Sequence, residues 1–153
     1  MTGATDPADR DGVIATVLRF GSALDDRDWH ALRECLAREL DLVYSSFRGT
    51  PPGRLSADEF VALRRSGLAG LVTQHLSVGH RVEIRGDDAI CRCDFMIHRW
   101  PEAEADPRFL HSYGLYHYAL RRAAHGWEIS AITPVVRRSE GDRSLHGALR
   151  SSP

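Results

Sequence analysis

At 153 residues, 42% of them hydrophobic, the chain suits one domain with a substantial core and is short for two. A formal net charge of -1 supplies no global field toward nucleic acid or an anionic membrane, so small molecules or protein partners are the expected ligands. The sequence has no lysine, which excludes a Schiff base, a pyridoxal phosphate anchor and a phosphate-loop lysine.

Asp6 can cap a helix that carries Pro7 at its first position, and Val13, Val17, Phe20 and Leu24 then recur at helical spacing. Asp25 falls at the end of that helix. Asp28 caps a second, short helix whose Trp29, Leu32, Cys35 and Leu36 share a face. Leu40, Leu42 and Tyr44 alternate with Asp41, Val43 and Ser45, the period of a strand. After a turn at Thr50 to Gly53, Ser56 and Glu59 form a capping box and Leu55 with Phe60 its hydrophobic staple, which predicts a third helix to about Gly67.

From Val72 onward the pattern is that of long strands. Val72 to Ile84, the turn at Gly86 and Asp87, and Ala89 to Trp100 read as a hairpin; Leu110 to Arg121 and Trp127 to Val136 make a second pair joined near Ala124 to Gly126. Two helices, a strand, a helix and a meander, without strand–helix–strand alternation, give an α+β fold with a mostly antiparallel sheet. Curved and covered by the three helices on its concave face, such a sheet makes a cone-shaped barrel with a pocket inside. The domain is expected to span residues 1–137. Residues 138–153, with only Leu145 and Leu149 at helical spacing, are expected to be a flexible tail or partial flap.

Met1 to Asp11 is polar and acidic, without the basic and apolar regions of a secretory leader, and no run approaches the roughly 18 apolar residues of a membrane span. Cys35, Cys91 and Cys93 are an odd set for a disulfide framework and read as small buried hydrophobes of a reducing compartment. A cytoplasmic protein is therefore expected.

The polar residues Asp25, Tyr44, His75, His98 and Ser112 are each placed where a predicted element aims them inward. A carboxylate, a phenol, two imidazoles and a hydroxyl in one apolar cavity would make a proton-transfer site, since imidazole titrates closest to neutrality. Asp94 lies on the strand face of Met96 and His98 and is a secondary candidate. His111 and His117 fall on the face opposite Ser112. Asp25, His75 and His98 would also supply a two-histidine, one-carboxylate metal triad, but no two of them are close in sequence, and neither a metal nor a cofactor is assigned.

The element order, with the segments LDDRDWHALRECL, LDLVYSSF, SADEFVAL, TQHLSVG, MIHRW and HSYGLYHY, resembles the scytalone dehydratases and SnoaL-like proteins of the nuclear transport factor 2-like superfamily, from about Phe20 to Val136. TQH and the downstream IHRW are its most specific part. The resemblance implies that Asp25 orients a catalytic His98, that His75 is a second catalytic histidine, that Tyr44 helps hold a substrate carbonyl, and that Ser112 is an active-site serine. It also places Phe47, Leu63 and Met96 on the pocket wall. Leu24 and Gly114 stand where the family has a tyrosine and an asparagine that contact substrate, and the tail lacks the family's phenylalanines. The proton-transfer set is thus more complete than the recognition set.

The expected activity is a cofactor-independent dehydratase acting on a hydroxylated carbonyl or polyketide-like molecule. An aldol cyclase or isomerase using the same acid/base pair, and a noncatalytic module for a hydrophobic ligand or partner, are the alternatives. The outer sheet face, assigned Tyr113, Leu115, Cys91, Cys93 and Phe95, is too apolar for a monomer, so a homo-oligomer is expected, a trimer by resemblance and a dimer otherwise.

Overall fold

The computed structural model describes residues 6–44 and 52–145. Helix α1 (Pro7–Asp26) starts where Asp6 accepts a hydrogen bond from the Ala8 N–H at 3.0 Å. It ends at Arg27, whose φ of 58° is the left-handed conformation that stops a helix. Helix α2 (Trp29–Glu34) is capped by Asp28 through the Ala31 N–H, and strand β1 (Leu36–Leu42) follows almost at once. Tyr44 lies two residues beyond that strand, yet is buried. Strand β2 (Gly53–Ser56) leads into helix α3 (Ala57–Gly67), where both hydrogen bonds of the Ser56–Glu59 capping box are present.

Strands β3 (Leu71–Arg85), β4 (Asp88–Pro101), β5 (Leu110–Ala123) and β6 (Gly126–Gly141) form the meander. The sheet order is β2-β1-β6-β5-β4-β3, antiparallel except where β1 runs parallel to β6. The expected cone-shaped α+β architecture is therefore observed, as a curved, unclosed sheet with helices on its concave side. Register shifts in the β3–β4 and β5–β6 pairs bend the long strands, as bulges do. Val13, Val17, Phe20 and Leu24 of α1 join the inner sheet residues in one core, with Phe20 set edge-on to Tyr118 at 5.9 Å and stacked on Phe60 at 6.1 Å.

The faces of β4 are the reverse of those expected. Ile97 pairs directly with Ser112, and cross-strand partners share a face. Since Ser112 is buried inside, Ile97 points inward, and Cys91, Cys93, Phe95 and Arg99 point inward with it. Asp94, Met96 and His98 are consequently on the outer side. The outer face thus lacks Cys91, Cys93 and Phe95, but exposes Val72, Leu76, Val78 and Ile90 and carries Met96, Trp100, Tyr113 and Leu115 at its outward positions.

Strand β6 also runs beyond the expected end of the domain. It pairs Ser139 with Ser112 and Gly141 with Leu110, and a 3₁₀ turn over Arg143–Leu145 then buries Leu145. The proposed tail therefore begins as sheet; residues 146–153 lie outside the described residues. Gly114 faces inward beside a register shift, where an added Cβ would come within 2.0 Å of the Val135 carbonyl oxygen. The missing side chain at this position admits that close backbone approach.

Candidate active site

The left-handed turn at Arg27 leaves Asp25 in the last turn of α1, facing the start of β3. The Arg27 guanidinium fixes this junction by donating to the carbonyl oxygens of Leu24 and Leu71 and, at 3.0 Å, to Thr73 Oγ1. Thr73 Oγ1 in turn donates to Asp25 Oδ1 at 2.9 Å. Strand alternation puts His75 on the same face as Thr73. Its backbone N–H donates to Asp25 Oδ2 at 2.7 Å, and its ring Nδ1 lies 2.6 Å from Asp25 Oδ1. Gly21, one turn before Asp25 on the same helix face, lies against the His75 Cβ.

An ionised carboxylate only accepts hydrogen bonds, so the short contact assigns the proton to His75 Nδ1 and leaves Nε2 as the basic nitrogen. His75 lines two adjacent cavities. The first has Phe20, Leu24, Tyr44, Phe60, Ile97 and Tyr116 on its walls. Arg64 of α3 and Arg99 of β4 complete the polar part, and Leu145 closes one side.

Burial is the main force on His75 and lowers its pKa; the Asp25 hydrogen bond opposes this, while Arg99 and Arg64 reinforce it as nearby cations. The imidazole is thereby held as the neutral base at neutral pH. Arg99 is 5% exposed and donates to Ser112 Oγ at 3.2 Å. Burial brings its pKa down to about 10. Ser112 Oγ lies 3.1 Å from Ser139 Oγ, so the serine supports Arg99 from behind rather than lining the cavity. Tyr116 is held neutral, its pKa raised by burial and by neighbouring Tyr44. The Arg64 guanidinium lies over the Tyr44 and Phe60 rings, 5.2 and 5.0 Å from their centroids.

Of the site residues expected from sequence, Leu24, Tyr44 and His75 line this cavity, with Asp25 behind His75. His98 does not. Asp25 holds His75, and His98 is on the outer face, 4.3 Å from the His111 ring and edge-on to Trp100. His75 and His98 lie on opposite faces of the sheet, so they cannot act together as the expected acid/base pair. Asp94, 4.0 Å from Arg81, and Met96 are outside with His98. Leu63 is half-buried on α3 but is not on the cavity wall, and Phe47 lies outside the described residues. Arg99, Arg64, Thr73 and Tyr116 were missed. Thr73 was legible from its same-face spacing to His75, whereas Arg99 was hidden by the wrong parity for β4.

No helix among the described residues is long and apolar enough to cross a membrane, and no group of three or more potential metal ligands occurs among them.

Residues 6–133 match the model of the SnoaL-like domain, and the chain belongs to that family. It is 29% identical over 142 residues to a scytalone dehydratase of Colletotrichum orbiculare, an alignment covering 86% of this chain and 74% of the relative. A dehydratase of Pestalotiopsis microspora is 27% identical over 145 residues, covering 84% and 87% respectively. Among solved structures, the Kfla4162 protein of Kribbella flavida superposes with a TM-score of 0.85 at 23% identity, over 92% of this chain and 97% of that one.

The lowered pKa of His75 has a consequence for stability. Its folded value lies below its unfolded one, so the unfolded chain binds more protons in the window between them and stability rises with pH there. The contribution is complete above the unfolded value of about 6.5 and is lost as pH falls through it. The thermal midpoint should thus fall between pH 7.5 and 5.5, and less steeply in His75→Gln; equal slopes by calorimetry would contradict the assignment.

Proposed function

We propose that the chain is a cofactor-independent dehydratase for a small hydroxylated carbonyl compound, with Asp25 and His75 as its acid/base machinery. The observation that carries this is the 2.6 Å contact between Asp25 Oδ1 and His75 Nδ1 on the wall of an apolar cavity. Two curated relatives named as dehydratases support the reaction class. The family resemblance supports a polyketide-like substrate.

His75 Nε2 removes the proton alpha to the carbonyl, and Asp25 stabilises the imidazolium that forms. The electron pair of the broken C–H bond becomes the new C=C bond as the beta C–O bond breaks. The imidazolium returns its proton to the departing hydroxyl, so one water leaves and the base is restored. A single histidine performs both transfers, since His98 is on the other side of the sheet. Tyr44, on the same cavity wall, is the donor to the carbonyl oxygen as negative charge develops. The alpha-proton step is common to dehydration, aldol cyclisation and isomerisation.

Asp25→Asn should lower turnover by roughly 10²- to 10⁴-fold with the fold retained, because the imidazole loses the acceptor that fixes its tautomer. His75→Gln should be at least as damaging and Tyr44→Phe less so. His98→Gln should leave turnover within about twofold. Exchange of an alpha proton of a cyclic ketone into deuterated water reads all four variants before the natural substrate is known. Wild-type protein without exchange, dehydration or cyclisation would favour a binding module, and a large loss in His98→Gln would restore the outer histidine to the mechanism.

The exposed apolar sheet face supports self-association, as a trimer by family resemblance or as a dimer. Light scattering should give a multiple of 17.1 kDa at micromolar concentration. A monomeric mass would reject it.

A further inference from the structure

The polar part of the cavity is unevenly charged. Among its described lining residues are two guanidinium groups, Arg64 and Arg99, and no carboxylate. Asp25, behind His75, already accepts from Thr73 and from two nitrogens of His75. Arg64 Nε is buried and has no hydrogen-bond partner among the described residues. A buried donor left unsatisfied costs free energy, and a planar guanidinium presents donors in a fork that matches a carboxylate.

The two arginines come from different elements, α3 and β4, and act on the same neighbours. Each lowers the pKa of His75 and of Tyr116, and Arg64 lowers that of Arg99. A neutral occupant would leave the charge of Arg64 in a partly dehydrated cavity, whereas an anion would balance it. The remaining walls, Phe20, Leu24, Phe60 and Ile97, suit the apolar body of a small ring.

We infer that the occupant of this cavity is a small ring-bearing carboxylate, its apolar body among Phe20, Leu24 and Phe60 and its anionic group against Arg64 and Arg99. This rests on the dehydratase reading only in taking that occupant to be the substrate. The carboxylate is then a recognition group beside the reacting carbonyl, and Arg64 and Arg99 determine specificity.

The test is calorimetric titration of the full chain with benzoate and with benzamide, its neutral isostere. Benzoate should bind at least tenfold more tightly than benzamide, and Arg64→Gln should reduce that preference at least fivefold. Arg64 is partly exposed, so this variant should fold; a matching thermal midpoint checks it. His75→Gln should keep the preference for benzoate while losing proton exchange, which separates this inference from the catalytic reading. Equal affinities, no detectable benzoate binding at millimolar concentration, or a preference unchanged in Arg64→Gln would overturn the inference. A benzoate preference in wild-type protein that shows no proton exchange would uphold it and sink the catalytic reading alone.

Discussion

The carboxylate of Asp25 ties the end of α1 to the beginning of β3. It accepts from the Thr73 hydroxyl, the His75 backbone and the His75 ring, joining the helix to the sheet behind the cavity wall. Hydrogen bonds to a charged partner are each worth about 1.5–3 kcal/mol, and this carboxylate is mostly shielded from solvent. Arg27 reinforces the junction through Thr73 and the ends of both elements. Position and protonation of His75 therefore follow from one contact set: the bonds that anchor the helix also orient the imidazole.

Around this anchor the cavity combines opposing demands. Apolar walls from α1 and α3 exclude water, which keeps His75 neutral and Tyr116 protonated. The same dryness makes the buried Arg99 expensive, and Ser112, backed by Ser139, compensates it in part. Among the described residues no second histidine lines the cavity; at the β4 position flanking Ile97 on the inner face stands an arginine that stays charged at neutral pH. The site is thus suited to stabilising negative charge while one imidazole carries the proton.

The helices were legible because their signals are local. Asp6, Asp28 and the Ser56–Glu59 box cap the elements expected, and the αL stop at Arg27 comes two residues after Asp25. The long strands were legible from alternation, and His75 lies on the inner face expected of it. Strand β4 was not, because both parities are apolar: Cys91, Cys93, Phe95 and Ile97 on one side, Ile90, Met96 and Trp100 on the other. A register displaced by one residue reverses every side chain, and only the pairing of Ile97 with Ser112 decides it. That single displacement exchanged Arg99 for His98 and moved Cys91, Cys93 and Phe95 to the wrong side. Strand β2, four residues long, offers no period to read, and the continuation of β6 through polar residues carries no apolar alternation.

The central claim is that Asp25 fixes His75 as a neutral base with its free nitrogen toward the cavity. Nitrogen-15 resonances of the His75 ring at pH 7 report this directly. The account predicts a protonated Nδ1 and an unprotonated Nε2 in the wild type, with that tautomer preference lost in Asp25→Asn. A His75 ring protonated on Nε2 or doubly protonated at pH 7, or a tautomer indifferent to Asp25, would contradict it.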